Sequence, residues 1–448
     1  LERALFTLGE HGLVSLPGRV EVIGGYADGM AVEVADPQAA DALPADLSIS
    51  TRLRMAPSLT FEGRAWPVFT IYQLSADLDI RYEAGRASLD EALVYDPVQT
   101  GRNRLPTPRL LAARGAAIGE HISLSFGLTR SSWGLGMLAN DGAPRGPIDG
   151  ASPFGFARTA DRVVRAQIAA FPFGRPDERG PDGEALEPPL TVAVAADAVV
   201  EDDTANWVHG DRTWHAVGAV RGRVEGFRGG LYAVHRRQTH GEGGYTHVTV
   251  VDLHARQDLT ARNVRIWAEI EAALTVGETT YAQHPLHPGP QDVMAGGMLL
   301  RMGTRGSGFG AVLEAGYASG DDNPFDTEQR AFSFDREYRV GLLMFRESLR
   351  KSTAVTAANI ADPTYRATPP RGFERAATAG AVRGAVYVNP RLTYEITDGL
   401  TAMAGYLHAT SDGTYTDPFQ SGLVGGASAG PRGALLATHF GDEIDLGL

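Results

Sequence analysis

Residues 264–276 read VRIWAEIEAALTV. Ile266, Ala268, Ile270, Ala272, Leu274 and Val276 fall on one side of a period-two alternation. Arg265, Trp267, Glu269, Glu271 and Thr275 fall on the other. Successive side chains of a strand point to opposite faces, so this stretch is a strand with one apolar and one charged face. About five apolar positions match a hydrocarbon band of about 25 Å. A soluble β-sandwich also alternates, but its dry core calls for large aromatic anchors, and aromatics are only 8% of this chain. The stretch therefore predicts a strand whose outer face meets lipid and whose inner face lines a polar lumen.

The pattern recurs along the chain. In 51–61, TRLRMAPSLTF, Leu53, Met55, Leu59 and Phe61 oppose Arg52, Arg54, Ser58 and Thr60. In 66–80, Tyr72, Leu74, Ala76, Leu78 and Ile80 alternate with Gln73, Ser75, Asp77 and Asp79. Residues 121–129, 213–224, 293–305, 383–396 and the final 443–448 repeat the scheme. Residues 107–118 are ambiguous. Residues 229–239 and 246–256 do not hold one parity, which predicts bulges or no strand there. The count comes to roughly 16 to 18 strands of the length found in outer-membrane barrels. Connections fall into two sizes. Segments 62–64, Gly119-Glu120, 225–229, 259–262, 305–308 and 397–399 read as tight turns. Segments 81–106, 130–160, 175–188, 277–291, 320–337, 350–381 and 411–431 read as long loops. The sequence thus predicts an all-β fold: one transmembrane antiparallel β-barrel over 1–448, with long loops on one rim and short turns on the other.

Composition narrows the function classes. The 448 residues carry a formal charge of −13, which argues against nucleic acid as a partner, since that needs a basic face. Cysteine is absent, which excludes disulfide scaffolds, thiol nucleophiles and cysteine metal sites. Lys351 is the sole lysine, so positive charge is carried by arginine. No run of 18 apolar residues occurs, so no transmembrane helix is expected. Leu1 opens without a basic or apolar leader, which reads as a chain lacking its signal peptide.

Several motifs invite chemistry. Gly306-x-Gly308-x-Gly310 has the look of a phosphate loop, but a strand follows it where a helix is required, so a glycine hairpin turn is expected. Asp321, Asp322, Asn323 and Asp326 crowd hard oxygen ligands into loop 320–337 and make it the candidate Ca²⁺ site, with Asp321, Asp322 and Asp326 the ligands. Asp202 and Asp203 form a weaker pair. His235, His240, His247, His254, His284 and His287 cluster in sequence without an HExxH or close HxH spacing, and read as loop and lumen histidines. No nucleophile elbow or kinase signature is present. His121 and Ser123 share a face of one strand, a coincidence common in a polar lumen, so no enzyme is expected.

The lumen carries the functional expectation. The alternation places Arg52, Arg54, Arg165, Arg221, Arg223, Arg265, Arg301, Arg305, Arg383 and Arg391 on the inner face, with Asp77, Asp79, Asp197, Asp252, Glu269, Glu271, Glu314, Glu395, Glu443 and Asp445. Charges in a narrow bore should pair, because isolated ions are costly to desolvate. They then act as a cross-strand ladder that stiffens the wall, or as a path that solvates a polar solute. Their near balance predicts weak ion selectivity.

The phrases TRLRMAPSL (51–59), SSWGLGMLANDG (131–142), AGYASGDDNPFD (315–326) and HFGDEIDLGL (439–448) resemble the alginate-export-type superfamily of bacterial outer-membrane barrels. They are closest to a group of uncharacterised barrels of that kind. Such barrels normally finish on a C-terminal aromatic residue, whereas this chain stops at Leu448, as if its last residues were missing. The resemblance implies an outer-membrane location, contact with lipid bilayer and lipopolysaccharide, and passage of a polar solute or polysaccharide-like polymer. Two rivals stand beside it. One is a plugged barrel whose loops bind an envelope protein or polymer; the other is an outer-membrane enzyme.

Overall fold

The protein is described here as a computed structural model. It describes strand segments at 5–8, 12–15, 18–27, 46–55, 58–66, 69–85 and 107–117, then residues 121–141, 161–174, 188–280, 289–323, 326–362, 364, 377–397, 399–430 and 436–448; side chains are described from residue 121 onward. The strands are β1 (Leu5–Leu8), β2 (Gly12–Ser15), β3 (Gly18–Ala27), β4 (Asp46–Met55), β5 (Ser58–Trp66), β6 (Phe69–Gly85), β7 (Thr107–Ala117), β8 (Ile122–Thr129), β9 (Arg162–Ala170) and β10 (Leu190–Glu201). They continue as β11 (Arg212–Val224), β12 (Phe227–Thr239), β13 (Tyr245–Ala261), β14 (Val264–Thr279), β15 (Gln291–Gly306), β16 (Phe309–Ala318), β17 (Glu328–Gln329), β18 (Ala385–Thr397), β19 (Leu400–Tyr415) and β20 (Ala437–Gly447). All twenty belong to one sheet.

The sheet is an antiparallel β-barrel wall in which sequential neighbours pair from β6 through β16, then β18, β19 and β20. Along β6, β5 pairs with the first half and β4 with the second. In turn β2 pairs β5 and β3 pairs β4, so 12–27 and 46–66 are two long, interrupted strands. Counting each as one and leaving out the two-residue β17 gives seventeen strands among the described residues, the four-residue β1 included, within the expected number.

Five expected turns lie where strands meet two by two, at Ala117↔Ile122, Val224↔Phe227, Ala261↔Val264, Gly306↔Phe309 and Thr397↔Leu400. At one of them Ser307 (φ 53) and Gly308 (φ 76) are both left-handed, the mirror-image turn that matches strand twist. Gly306-x-Gly308-x-Gly310 is therefore a hairpin. The expected turn at 62–64 is corrected: Glu62-Gly63-Arg64 lies inside β5, and the hairpin closes at Trp66↔Phe69. The expected long loop 175–188 joins β9 to β10 and, apart from residue 188, lies outside the described residues. Loops 320–337 and 350–381 are parts of one insertion between β16 and β18. It contains a π-helical turn, Met344–Leu349, running into α1 (Arg350–Ala361). After β19 comes a short α2 (Pro418–Leu423).

Outward positions are apolar and exposed. They include Val194, Leu253, Ile266, Met294 (67%), Leu392 and Ile444 (75%). An exposed apolar face repeated from strand to strand along the described wall is stable against hydrocarbon. Among the described residues no helix is long and apolar enough to cross a membrane; the crossing is made by strands. Inward positions of β14 hold Trp267, Glu269, Glu271 and Ala273, all buried, so the expected register of 264–276 stands.

Strands β12 and β13 are regular across their whole length, with no bulge. Tyr232, Val234, Val248 and Val250 face inward beside Gln238, Asp252, His254 and Arg256. Apolar side chains on the inner face hid the alternation. They are there because Trp133 and Ala139 pack against this part of the wall.

Candidate functional site

Two segments fold from the long-loop rim into the lumen. The first is 131–141. Trp133 is 4% exposed, stacks on Tyr232 with ring centroids 5.2 Å apart, and donates its Nε1–H to Asp252 Oδ1 at 2.9 Å. The Arg221 guanidinium lies 5.2 Å from the centre of the same ring, a cation–π distance. With Val217, Val234 and Ala139 these rings form an apolar cluster against the wall.

The turn that follows wraps around a carboxylate. Glu271 of β14 accepts the backbone N–H groups of Leu135, Met137 (3.1 Å) and Leu138 (3.4 Å). Successive N–H groups converging on one anion make a backbone nest. Gly134 and Gly136 have φ of +52° and +88°, and a Cβ on Gly134 would fall 2.4 Å from Glu271 Oε2. Glycine at 134 is what allows the turn to close on the carboxylate.

The second segment is residues 332–349 of the 319–384 insertion. Phe332, Phe334, Tyr338, Val340 and Phe345 pack with Leu135, Met137 and the wall residues Tyr387 and Leu407 in the main apolar cluster of the protein. It is held by the same device. Glu443 of β20 accepts the N–H groups of Leu342 (2.5 Å), Leu343 (2.8 Å) and Met344 (2.7 Å). Gly341 (φ +68°) would bring a Cβ to 2.8 Å from Glu443 Oε1. The two segments are also joined to each other: Asp335 accepts the Asn140 N–H at 2.8 Å, and the Asp335 N–H donates to the Met137 carbonyl at 2.7 Å.

The wall charges pair as a ladder. Glu314 accepts Arg301 Nε (3.1 Å), Arg391 Nη2 (3.0 Å) and the Tyr387 hydroxyl (2.8 Å), and Arg301 also donates to Tyr338 Oη at 2.9 Å. Glu269 takes Arg256 (2.9 Å) and His254 (2.8 Å), and Asp258 takes Arg256 and Arg265 (both 2.8 Å). Arg165 holds Asp197 through two bonds, 2.7 and 2.8 Å.

The residues expected to line a pore thus separate. Arg165, Glu269, Glu271, Arg301, Glu314 and Arg391 are inside, as are Asp197, Asp252, Glu443 and Asp445. Arg223, Arg265, Arg305 and Glu395 are exposed beside the tight turns. Arg383 precedes β18, and its backbone bridges Ser333 of the insertion. Arg52, Arg54, Asp77 and Asp79 have side chains outside the described residues; their backbones pair Arg54 with Asp79 and Arg52 with Arg81.

The acidic loop does not converge. Asp321 accepts the N–H groups of Asn323 and Arg330, and Asp326 accepts that of Glu328, so these carboxylates cap local backbone. Among the described residues, one metal-type trio brings its ligand atoms within 4.8 Å of one another, and it is His408, His439 and Asp442, with neither Asp321, Asp322 nor Asp326 in it. The sequence-clustered histidines scatter as well. His235 bonds Thr249, His240 bonds Thr246, and His254 bonds Glu269; His284 and His287 lie outside the described residues. His121 Nδ1 donates to the Phe171 carbonyl at 2.9 Å.

Outside the spans, carboxylates at the loop rim are perturbed. Burial, together with the charges of Asp335, Asp203 and Asp202, pushes Asp161 well above the usual range. Burial and the charge of Asp203 push Asp335 the same way. Burial acts on Asp202 too, but the Arg236 guanidinium outweighs it and holds that carboxyl at about 2.

No family model matches the chain, and no curated protein matches it. Among solved structures it is similar to OccK2 (OpdF) of Pseudomonas aeruginosa, at 11% identity and a TM-score of 0.43, over 89% of this chain and 81% of that one. It is similar to the outer-membrane channel DcaP of Acinetobacter baumannii, at 11% identity and 0.44, over 91% and 93%. It is also similar to OccAB1 of Acinetobacter baumannii, at 7% and 0.46, over 89% and 80%. The likeness to the alginate-export-type superfamily rests on the sequence phrases alone.

Proposed function

We propose that the chain is a bacterial outer-membrane channel for small polar solutes, with a bore narrowed by the 131–141 segment and the 319–384 insertion. The observation that carries this reading is the pair of wall carboxylates, Glu271 and Glu443, each gripping three backbone N–H groups of an in-folded segment. Segments fixed so specifically at mid-lumen serve as a constriction, where pore size and polar lining set what passes. The pairing of Arg165 with Asp197, Arg256 with Glu269, and Arg301 and Arg391 with Glu314 neutralises these wall arginines and supports weak ion selectivity. The apolar cluster of Phe334, Tyr338 and Phe345 packed against wall residues Tyr387 and Leu407 favours small solutes over a polysaccharide-like polymer. The apolar outer belt supports a bilayer and lipopolysaccharide setting.

A second reading, a plugged barrel that binds an envelope partner through its loops, draws on the same apolar filling. Planar-bilayer recording separates the two. Discrete conductance steps with a small reversal potential in a salt gradient are the expected result. A silent parent protein that conducts once Glu271 is replaced by Ala would favour the plug.

A further inference from the structure

His408 on β19 and Asp442 on β20 are cross-strand partners, and their side chains point outward. His439 lies three residues before Asp442, an odd spacing that would send the two to opposite faces of a regular strand. The ladder slips between Ala409 and Thr410, so that Ala409 pairs Gly441 and Thr410 pairs His439, leaving Phe440 as an extra residue. Gly441 takes up the distortion at φ +126°. A bulge of this kind re-aims side chains. Phe440 turns inward onto Phe345 and Tyr415, and His439 comes out beside Asp442.

We infer that His408, His439 and Asp442 form a binding site for a late first-row divalent ion, with Zn²⁺ the ion of choice. His408 Nδ1 lies 2.9 Å from Asp442 Oδ1, and His439 Nε2 lies 3.7 Å from Asp442 Oδ2. Two ligand atoms on a tetrahedral zinc, each about 2.0–2.1 Å from the metal, are about 3.3 Å apart. The two separations straddle that value, so small side-chain rotations seat the ion. Two imidazoles and a carboxylate suit zinc, and leave a fourth position for water. The Tyr406 hydroxyl donates to Asp442 Oδ1 at 2.5 Å, an outer contact that orients the carboxylate. Height favours the site as well. Leu446 and Ile444 are the outward residues below it on β20, with exposed Leu448 just beyond the strand, and Asp442 is where that apolar run ends, toward the loop rim. A bound ion would tie β19 to β20 where the bulge interrupts their hydrogen bonding.

The test uses the tag-free chain folded in detergent. Co²⁺ is added and followed by its visible d–d absorption, then displaced with Zn²⁺. The expected result is saturation at one ion per chain, displacement by Zn²⁺, and a loss of affinity of about tenfold or more in His408→Gln, His439→Gln and Asp442→Asn. His235→Gln, an exposed histidine elsewhere, should bind like the parent. Heat-modifiable gel migration confirms that each variant is folded. No saturable binding at sub-millimolar metal would overturn the site, as would folded His439→Gln binding as tightly as the parent.

Discussion

Arg301 on β15 and Glu314 on β16 face each other across the ladder with no exposed side-chain surface on either, Nε and Oε2 3.1 Å apart. Glu314 holds two more donors, and Arg301 also reaches Tyr338 of the insertion. The pair is therefore part of the protein interior and not a charge on a water path. The alternation alone groups Arg301 with Arg305 as one positive stretch; the structure leaves Arg305 exposed at a turn.

Arg301→Met removes one of the two guanidinium donors to Glu314 and the donor to Tyr338, and should cost about 3 kcal/mol for two lost bonds to charged groups. Arg305→Met should stay within about 0.5 kcal/mol of the parent. Urea unfolding of barrels folded into lipid vesicles measures both. Equal midpoints for the two variants would rule out the buried pair as a stabilising contact.

Ile270 sits on the outward side of β14, between Ala268 and Ala272. Arginine there must enter hydrocarbon, at about 2–4 kcal/mol near the midplane. The same vesicle assay should register that loss for Ile270→Arg. Arg265→Lys, at a position already exposed beside a turn, gives the contrasting near-neutral substitution. A neutral Ile270→Arg would mean that this face does not meet lipid.

Much of the barrel was legible because lipid outside and charge inside write a period of two, as in β14, β15 and β18. The reading failed where that contrast disappears. On β12 and β13, Tyr232, Val234, Val248 and Val250 are apolar and inward, because Trp133 and its neighbours pack against that wall. The signal lay in 131–142 itself: Trp133, Leu135, Met137 and Leu138 are too apolar for a solvated loop, and the flanking glycines mark a tight wrap. Charge placement was read, but not its partners. That Glu271 and Glu443 grip backbone N–H groups depends on where distant loops fold, which no local pattern records. His439 escaped because an odd spacing meets Asp442 only through a bulge.

The rim cluster predicts a pH response. Asp161 and Asp335 have folded pKa values above the unfolded carboxylate value of 3.8. The folded state therefore holds more protons than the unfolded one from about that pH upward, and the stability of the docked insertion falls as pH rises through this window. Asp202, held at about 2, acts in the opposite sense, and its contribution is lost only as pH falls from the usual carboxylate range toward 2. Hydrogen exchange over 333–340, corrected for intrinsic rates, should show more protection at pH 5 than at pH 8. Asp335→Asn should flatten the difference. An unchanged profile in that variant would assign the response to other groups.

Glu271 and Glu443 act as two separate latches on two separate segments, so their removal should have distinguishable effects. A hydrogen bond to a charged group contributes about 1.5–3 kcal/mol net, and each carboxylate accepts three. Glu271→Gln keeps the shape but sets an amide donor against a nest of N–H donors, a mismatch of at least about 3 kcal/mol on that scale. Such a loss shifts the ratio of docked to released 131–141 segment by roughly a hundredfold. Conductance through Glu271→Gln should become larger or flicker between two levels. Trp133 fluorescence should move to the red as its ring leaves Tyr232. Glu443→Gln should leave the Trp133 emission in place while freeing 340–345 to exchange. The wall pairs stay intact in both, so barrel unfolding should change far less than in Arg301→Met. Identical single-channel records for parent and Glu271→Gln would mean that the 131–141 segment does not bound the path.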